Sequence, residues 1–167
     1  MSHEHGLCST IAGSISDIAI TRSVLRPRRK TPMAVDALEG LAGCVACPLR
    51  EHGRPVLGKG NVNARVMVVG EAPGRTENDL GTPFVGRAGQ ALDELLRLAG
   101  VDATDVYVTN TVKCWPPLDA KGKQKAPTVK QIRTCTVLWL AKEIEQVRPK
   151  VILALGAVPV SHLLAGE

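Results

Sequence analysis

Four cysteines carry the first chemical signal: Cys44 and Cys47 as a CxxC pair, then Cys114 and Cys135 far downstream. A tight pair grips a metal with two thiolates from a single turn, but zinc sites more often draw their ligands as two compact pairs. A second pair split by 20 intervening residues fits an iron–sulfur cluster at least as well. Spacing alone does not choose between the two. A thioredoxin-like redox pair fits poorly, because that pair opens a helix after a strand and this one precedes the first strand. The plain alternative is a set of buried small hydrophobes with a chance CxxC. Cys8 has no nearby cysteine partner and stands outside the group.

Between the cysteines lies a Gly/Pro-rich tract, Gly70-Glu71-Ala72-Pro73-Gly74 followed by Gly81-Thr82-Pro83-Phe84-Val85-Gly86. Its glycines allow close backbone approach and expose amides that bind anionic or carbonyl oxygens. It is no phosphate loop, since neither GxxxxGK[ST] nor GxGxxG occurs. Phe84 is the only Phe of the chain. A lone Phe usually belongs to a core, yet in a glycine-rich loop at a strand end it serves as a stacking platform. Glu71, directly after a predicted strand, is either a solvated carboxylate or a group that polarises water. Asn110 can cap a turn, or its amide can read the hydrogen-bonding edge of a base. Lys121, Lys123 and Lys125, in a flexible loop over 113–127, are solvated or touch phosphates.

The elements that position these groups are legible as apolar runs. Residues 65–69, 106–110 and 150–155 read as buried strands, rich in Val, Ile or Leu and bounded by Gly, Asn or Pro. A helix follows each. Ala88, Ala91, Leu92, Leu95, Leu96 and Ala99 share one face, and Gly100 suits the stop. Thr128 and Gln131 have capping-box spacing, opening a helix that buries Ile132, Cys135, Trp139, Leu140, Ile144 and Val147. A last helix starts near Ala157, with Pro159 tolerable in its first turn. A short helix over 34–41 delivers the chain to Cys44. The alternation predicts an α/β fold: a three-layer α/β/α domain over 34–167 with a central parallel sheet. Ligands then bind beyond the carboxyl ends of the strands, where 70–74 and 110–114 lie side by side. A three-strand sheet leaves an edge open and implies a missing final strand. Residues 1–33 show no sustained period and read as a flexible basic tail.

The length of 167 residues suits one domain, and the net charge of +5 is a mild hint of an anionic partner. No stretch approaches the roughly 20 apolar residues that span a bilayer, and residues 1–16 lack the order of a secretory signal. A reducing cytoplasm follows as the expected setting, where cysteines are more often ligands or catalytic groups than disulfides.

At these residues the sequence resembles a family-four uracil-DNA glycosylase, the iron–sulfur branch of that superfamily. The resemblance runs from about residue 41 to 166 and rests on several ordered motifs. They are Cys44-Val-Ala-Cys47-Pro-Leu, the 70–74 and 81–89 segments, Val108-Thr-Asn-Thr-Val-Lys-Cys114, Cys135 and Leu155-Gly-Ala157. It implies a uracil-DNA glycosylase-like fold with a [4Fe–4S] cluster on Cys44, Cys47, Cys114 and Cys135. It also implies a substrate pocket of Gly70, Ala72, Pro73, Gly74, Phe84 and Asn110, with Phe84 stacked on a flipped uracil and backbone amides near Glu71 and Ala72 on a uracil oxygen. Glu71 and Asn110 are then the catalytic candidates. The implied partner is uracil-containing DNA, met by a monomer at the nucleoid, with no membrane involved. Three departures stand out. Ala72 occupies the place of a water-positioning Asp known in the superfamily. No His-Pro-Ser-type motif closes the chain, and His162 in Ser-His-Leu-Leu does not match it. The Cys114–Cys135 connection is long, yet holds no His that would trap DNA covalently. A cluster-bearing DNA-binding protein without catalysis is the alternative, and a zinc-stabilised nucleotide module a more distant one.

Overall fold

The structure, a computed structural model, describes residues 18–22 and 40–164. The expected helix over 34–41, the tail over 1–33 and Cys8 lie outside these residues, apart from 18–22 and a tight turn at 40–41. Three strands of apolar residues form the centre of the sheet: β3 (Val66–Gly70), β4 (Val106–Asn110) and β5 (Val151–Leu155). All three are parallel, with β3 in the middle. Two strands not apparent in the sequence flank them. β1 (Ile18–Arg22) runs antiparallel along β5, and β2 (Lys59–Gly60) antiparallel along β4, giving the order β1-β5-β3-β4-β2. The sheet is therefore mixed at its edges. The β5 edge expected to stand open is paired by β1, whose backbone supplies the hydrogen bonds an edge lacks.

Strand alternation sorts the core into two layers. Met67, Val69, Tyr107 and Ile152 pack with Leu140 and Val147 on one face of the sheet. Val68, Val106 and Val108 pack with Leu92 on the other, joined by Leu96 and Leu153. Each such fully buried side chain contributes about 1.5–3 kcal/mol, so the layered core, more than any surface ion pair, holds the strand ends in place.

The helices differ from expectation in instructive ways. α1 (Arg75–Leu80) forms inside the tract read as loop, running from Gly74 to a left-handed Gly81 at φ +69°. α2 (Arg87–Leu98) buries only Gly89 and Leu92. Ala88, Ala91, Leu95 and Ala99 are exposed, which corrects the predicted face. The reason is steric: a Cβ on Gly89 would lie 2.1 Å from the Phe84 carbonyl oxygen. That close approach turns the helix onto a narrow edge. The predicted helix after Thr128 is present with its reciprocal capping box, as α3 (Val129–Cys135) and α4 (Ala141–Val147). Between them Thr136–Leu140 widens to a π turn. The buried set matches except that Glu143 is fully enclosed and Ile144 only partly. α5 (Ala157–Leu164) closes the described residues.

Candidate functional site

Beyond the carboxyl ends of β3 and β4 lies a cleft of about 440 Å3 whose walls include Gly70, Glu71, Ala72, Gly74, Phe84 and Asn110. The ladder sets Gly70 opposite Asn110. A Cβ on Gly70 would sit 2.5 Å from Asn110 Oδ1 and 2.8 Å from Phe84 Cζ. Only glycine lets carboxamide and ring close on the same floor. The two strand ends are zipped past the sheet as well. Thr111 donates to the Gly70 carbonyl from both N (2.8 Å) and Oγ1 (2.9 Å), and Val112 N donates to the Glu71 carbonyl. Asn110 is 4% exposed, so its amide serves the cleft and not bulk water.

Phe84 adopts φ +53°, a left-handed backbone uncommon for a bulky residue and typical of strained ligand-binding positions. Two contacts hold it there: Lys59 Nζ donates to its carbonyl (3.2 Å), and Gly89 lies against the same oxygen. Glu77 fastens the loop around it. This buried carboxylate accepts from Gly86 N at 2.9 Å, and its other oxygen lies where a Cβ of Gly74 would point. Glu77 stands at the third position of α1, where a capping-box Glu reaches back to the helix start; here it reaches forward. That position was the only signal for it in the sequence.

The cleft is closed on one side by a segment expected to be flexible. Residues 118–124 form a tight hairpin: Asp119 Oδ1 accepts from Lys121 N and Lys123 N, and Leu118 bridges Gln124. Gln124 then straps the hairpin down, donating to the Pro73 carbonyl (3.1 Å) and accepting from Trp115 Nε1 (3.2 Å). Lys121, Lys123 and Lys125 remain exposed. Pro73, expected in the pocket, is fully buried and does not line the cleft, its carbonyl being taken by Gln124. Glu71 is half-buried on the wall. His162 hydrogen-bonds within α5, with Nδ1 at 3.0 Å from the Val158 carbonyl oxygen.

The four cysteines lie around one apolar cluster beside Ala72. Cys114 and Cys135 are buried with Leu41, Leu49, Val112, Ile132 and Trp139, and Cys44, Cys47 and Ala72 pack against that group. Burial, then the neighbouring cysteines, pushes the Cys114 thiol up to about 12, against a weaker pull from Arg50. Burial likewise raises Cys135 to about 11, opposed by the Lys113 N–H, which donates to its sulfur at 3.2 Å, while Cys47 and Cys44 add to the rise. Among the described residues no three His, Cys, Asp or Glu side chains converge closely enough to chelate one ion. An all-thiol set in apolar walls suits a soft metal.

Between the two zones runs a buried polar network with no counterpart in the sequence reading. Lys113 and Glu143 are both fully enclosed. Lys113 Nζ donates to Glu143 Oε2, to Thr109 Oγ1 (2.7 Å) and to the Asn110 carbonyl (2.6 Å). Glu143 also accepts from Thr109 Oγ1 (2.9 Å), Tyr107 OH (3.2 Å) and Gly58 N (3.2 Å). Burial, with the Glu143 charge, pushes the Tyr107 phenol well above its ordinary range, so it stays a donor.

A family model described as the uracil DNA glycosylase superfamily matches residues 57–166. The type-4 uracil-DNA glycosylase of Thermotoga maritima is 43% identical over 130 residues, covering 77% of this chain and 65% of that protein. That of Pyrobaculum aerophilum is 39% identical, covering 75% of this chain and 62% of that protein. A type-5 uracil-DNA glycosylase of Mycobacterium leprae is 33% identical, covering 87% of this chain and 68% of that protein. The chain thus spans a little under two thirds of the length of these type-4 relatives.

Proposed function

The chain belongs to the uracil DNA glycosylase superfamily, nearer its type-4 members, and we propose that it hydrolyses the N-glycosidic bond of uracil in DNA, the first step of base-excision repair. The observation that carries this reading is the closure of Phe84 and the Asn110 carboxamide over the Gly70 floor. A planar base fits that arrangement, with a ring to stack on and an amide along its edge. Reaching it requires the nucleotide to leave the duplex, at a cost of a few kcal/mol, offset by stacking and by phosphate contacts from Lys121, Lys123 and Lys125.

Breaking the bond leaves positive charge on the sugar and negative charge on the departing uracil. Asn110 donates to a uracil carbonyl oxygen, and backbone N–H groups near Glu71 and Ala72 face the other side of the base. Donors fixed before the reaction stabilise the leaving group without reorganising. Glu71 orients the water that attacks the sugar carbon, since Ala72 offers no carboxylate. Cys44, Cys47, Cys114 and Cys135 would hold a [4Fe–4S] cluster, which when bound ties the 44–47 turn, the end of β4 and α3 together and supplies no step of the reaction. The protein acts on DNA in the cytoplasm, as a monomer.

Release of uracil from a uracil-containing oligonucleotide tests the reading, with Glu71→Ala, Asn110→Ala and Phe84→Ala alongside. Each substitution is expected to slow release. Activity untouched by all three would dismiss this site. Tight DNA binding without release would favour a cluster-bearing DNA-binding protein, as Ala72 in the water-positioning place allows. Anaerobically purified protein lacking the broad visible absorbance of an iron–sulfur cluster would dismiss the cluster.

A further inference from the structure

We propose that Lys113, held by Glu143, is a positioning residue for Asn110, a role that rests on the uracil-release reading above. The pair is a poor choice for stability alone. Burying two charges is costly, and an apolar pair of equal volume often holds a core as well or better. Yet both side chains are fully enclosed and no donor is wasted. The three N–H groups of Lys113 meet Glu143, Thr109 and the Asn110 carbonyl. Its main chain is equally tied, with N on the Cys135 sulfur and the carbonyl accepting from Val56 N at 2.7 Å.

The bond to the Asn110 carbonyl (2.6 Å) is the informative one. Asn110 is the last residue of β4, and while Thr111 and Val112 go on pairing with the end of β3, the Asn110 carbonyl is held by the Lys113 side chain. Holding its carbonyl sets its final backbone angle and so aims its side chain across Gly70 into the cleft. Lys113 thus anchors from a side chain a residue whose carboxamide enters the cleft. Glu143, braced by Tyr107, Thr109 and Gly58, holds the Lys113 Nζ in place.

The test is a double substitution. Lys113→Met alone leaves the Glu143 carboxyl buried without its partner and is expected to unfold the protein. Lys113→Met with Glu143→Gln removes both charges and preserves volume. In this variant single-turnover uracil release should fall on the order of 10²-fold, as for a misplaced reacting group. DNA affinity, governed by phosphate contacts, should not change. Introduced into Asn110→Ala, the same pair should cost no further rate, because it acts through Asn110. A purely structural role would lower both backgrounds alike, and that result, or a full rate in the variant, overturns the proposal. Crystal structures of parent and variant decide it independently of activity. The Asn110 carboxamide should shift by more than about 0.5 Å; an unmoved carboxamide overturns the proposal. Should the parent chain release no uracil, the activity reading fails and the crystallographic comparison alone decides the positioning role.

Discussion

The cysteine centre and the cleft are neighbours built on opposite plans. The centre is built chiefly of side chains: four thiols beside Leu41, Leu49, Val112, Ile132 and Trp139. The cleft is organised around main chain, a Gly70 floor with Asn110 and Phe84 leaning over it and Glu71 on the wall. One has its geometry fixed by what it can bind, the other by what backbone hydrogen bonds hold still. Five consecutive residues serve both, with Asn110 in the cleft wall and Cys114 in the centre. The difference teaches that the cysteine centre and the glycine floor are separable in chemistry but not in structure. Whatever loosens the Cys114 end reaches Asn110 within four residues.

Four substitutions break or sharpen this contrast. The largest effect is expected from Cys135→Ser. It should abolish visible absorbance and cost about 4 kcal/mol or more of stability, as loss of a metal site does, measured by thermal melting under anaerobic conditions. Asn110→Ala should do the reverse: an intact spectrum and melting curve, with uracil release down on the order of 10²–10³-fold. Gly70→Ala tests the floor itself, since its Cβ would press on Asn110 Oδ1 at 2.5 Å and on Phe84 at 2.8 Å. Release should fall on the order of 10²-fold while the cluster spectrum stays, and normal rates would mean the floor is not the reacting surface. The smallest effect belongs to Lys59→Met, which removes one hydrogen bond from the Phe84 carbonyl. A loss of about 1 kcal/mol, seen chiefly as a raised KM, would place Lys59 in support of the stacking ring.

Much of the frame was legible because it is written in apolar runs. β3, β4 and β5 fall within a residue of their predicted bounds, and the capping box at Thr128 and Gln131 forms as spaced. What escaped is polar or depends on tertiary contact. β1 and β2 are strands only because a neighbouring edge pairs them. Lys113 was grouped with the lysines of its loop, and charge in a sequence ordinarily signals solvent; its burial depends on Glu143, 30 residues away. Glu77 is hidden for the same reason. The hairpin over 118–124 did leave a trace, Asp119 with Gly122 at turn spacing, outweighed by the run of lysines around it. The α2 face was misjudged because periodicity reports which residues are apolar, and Gly89, the tightest contact, carries no hydropathy at all.

The π turn at Thr136–Leu140 has a geometric consequence. In a regular helix Cys135 and Glu143 would be out of phase by about 80°. The extra residue accommodated by a π turn brings them back to within about 20°. The irregularity works as a phase corrector, letting one helix mesh with the cysteine centre at one turn and with Lys113 two turns later. Deleting a single residue from 136–140 would yield a regular helix with the two positions seven residues apart, about 20° out of phase, so the two sites should stay in mesh.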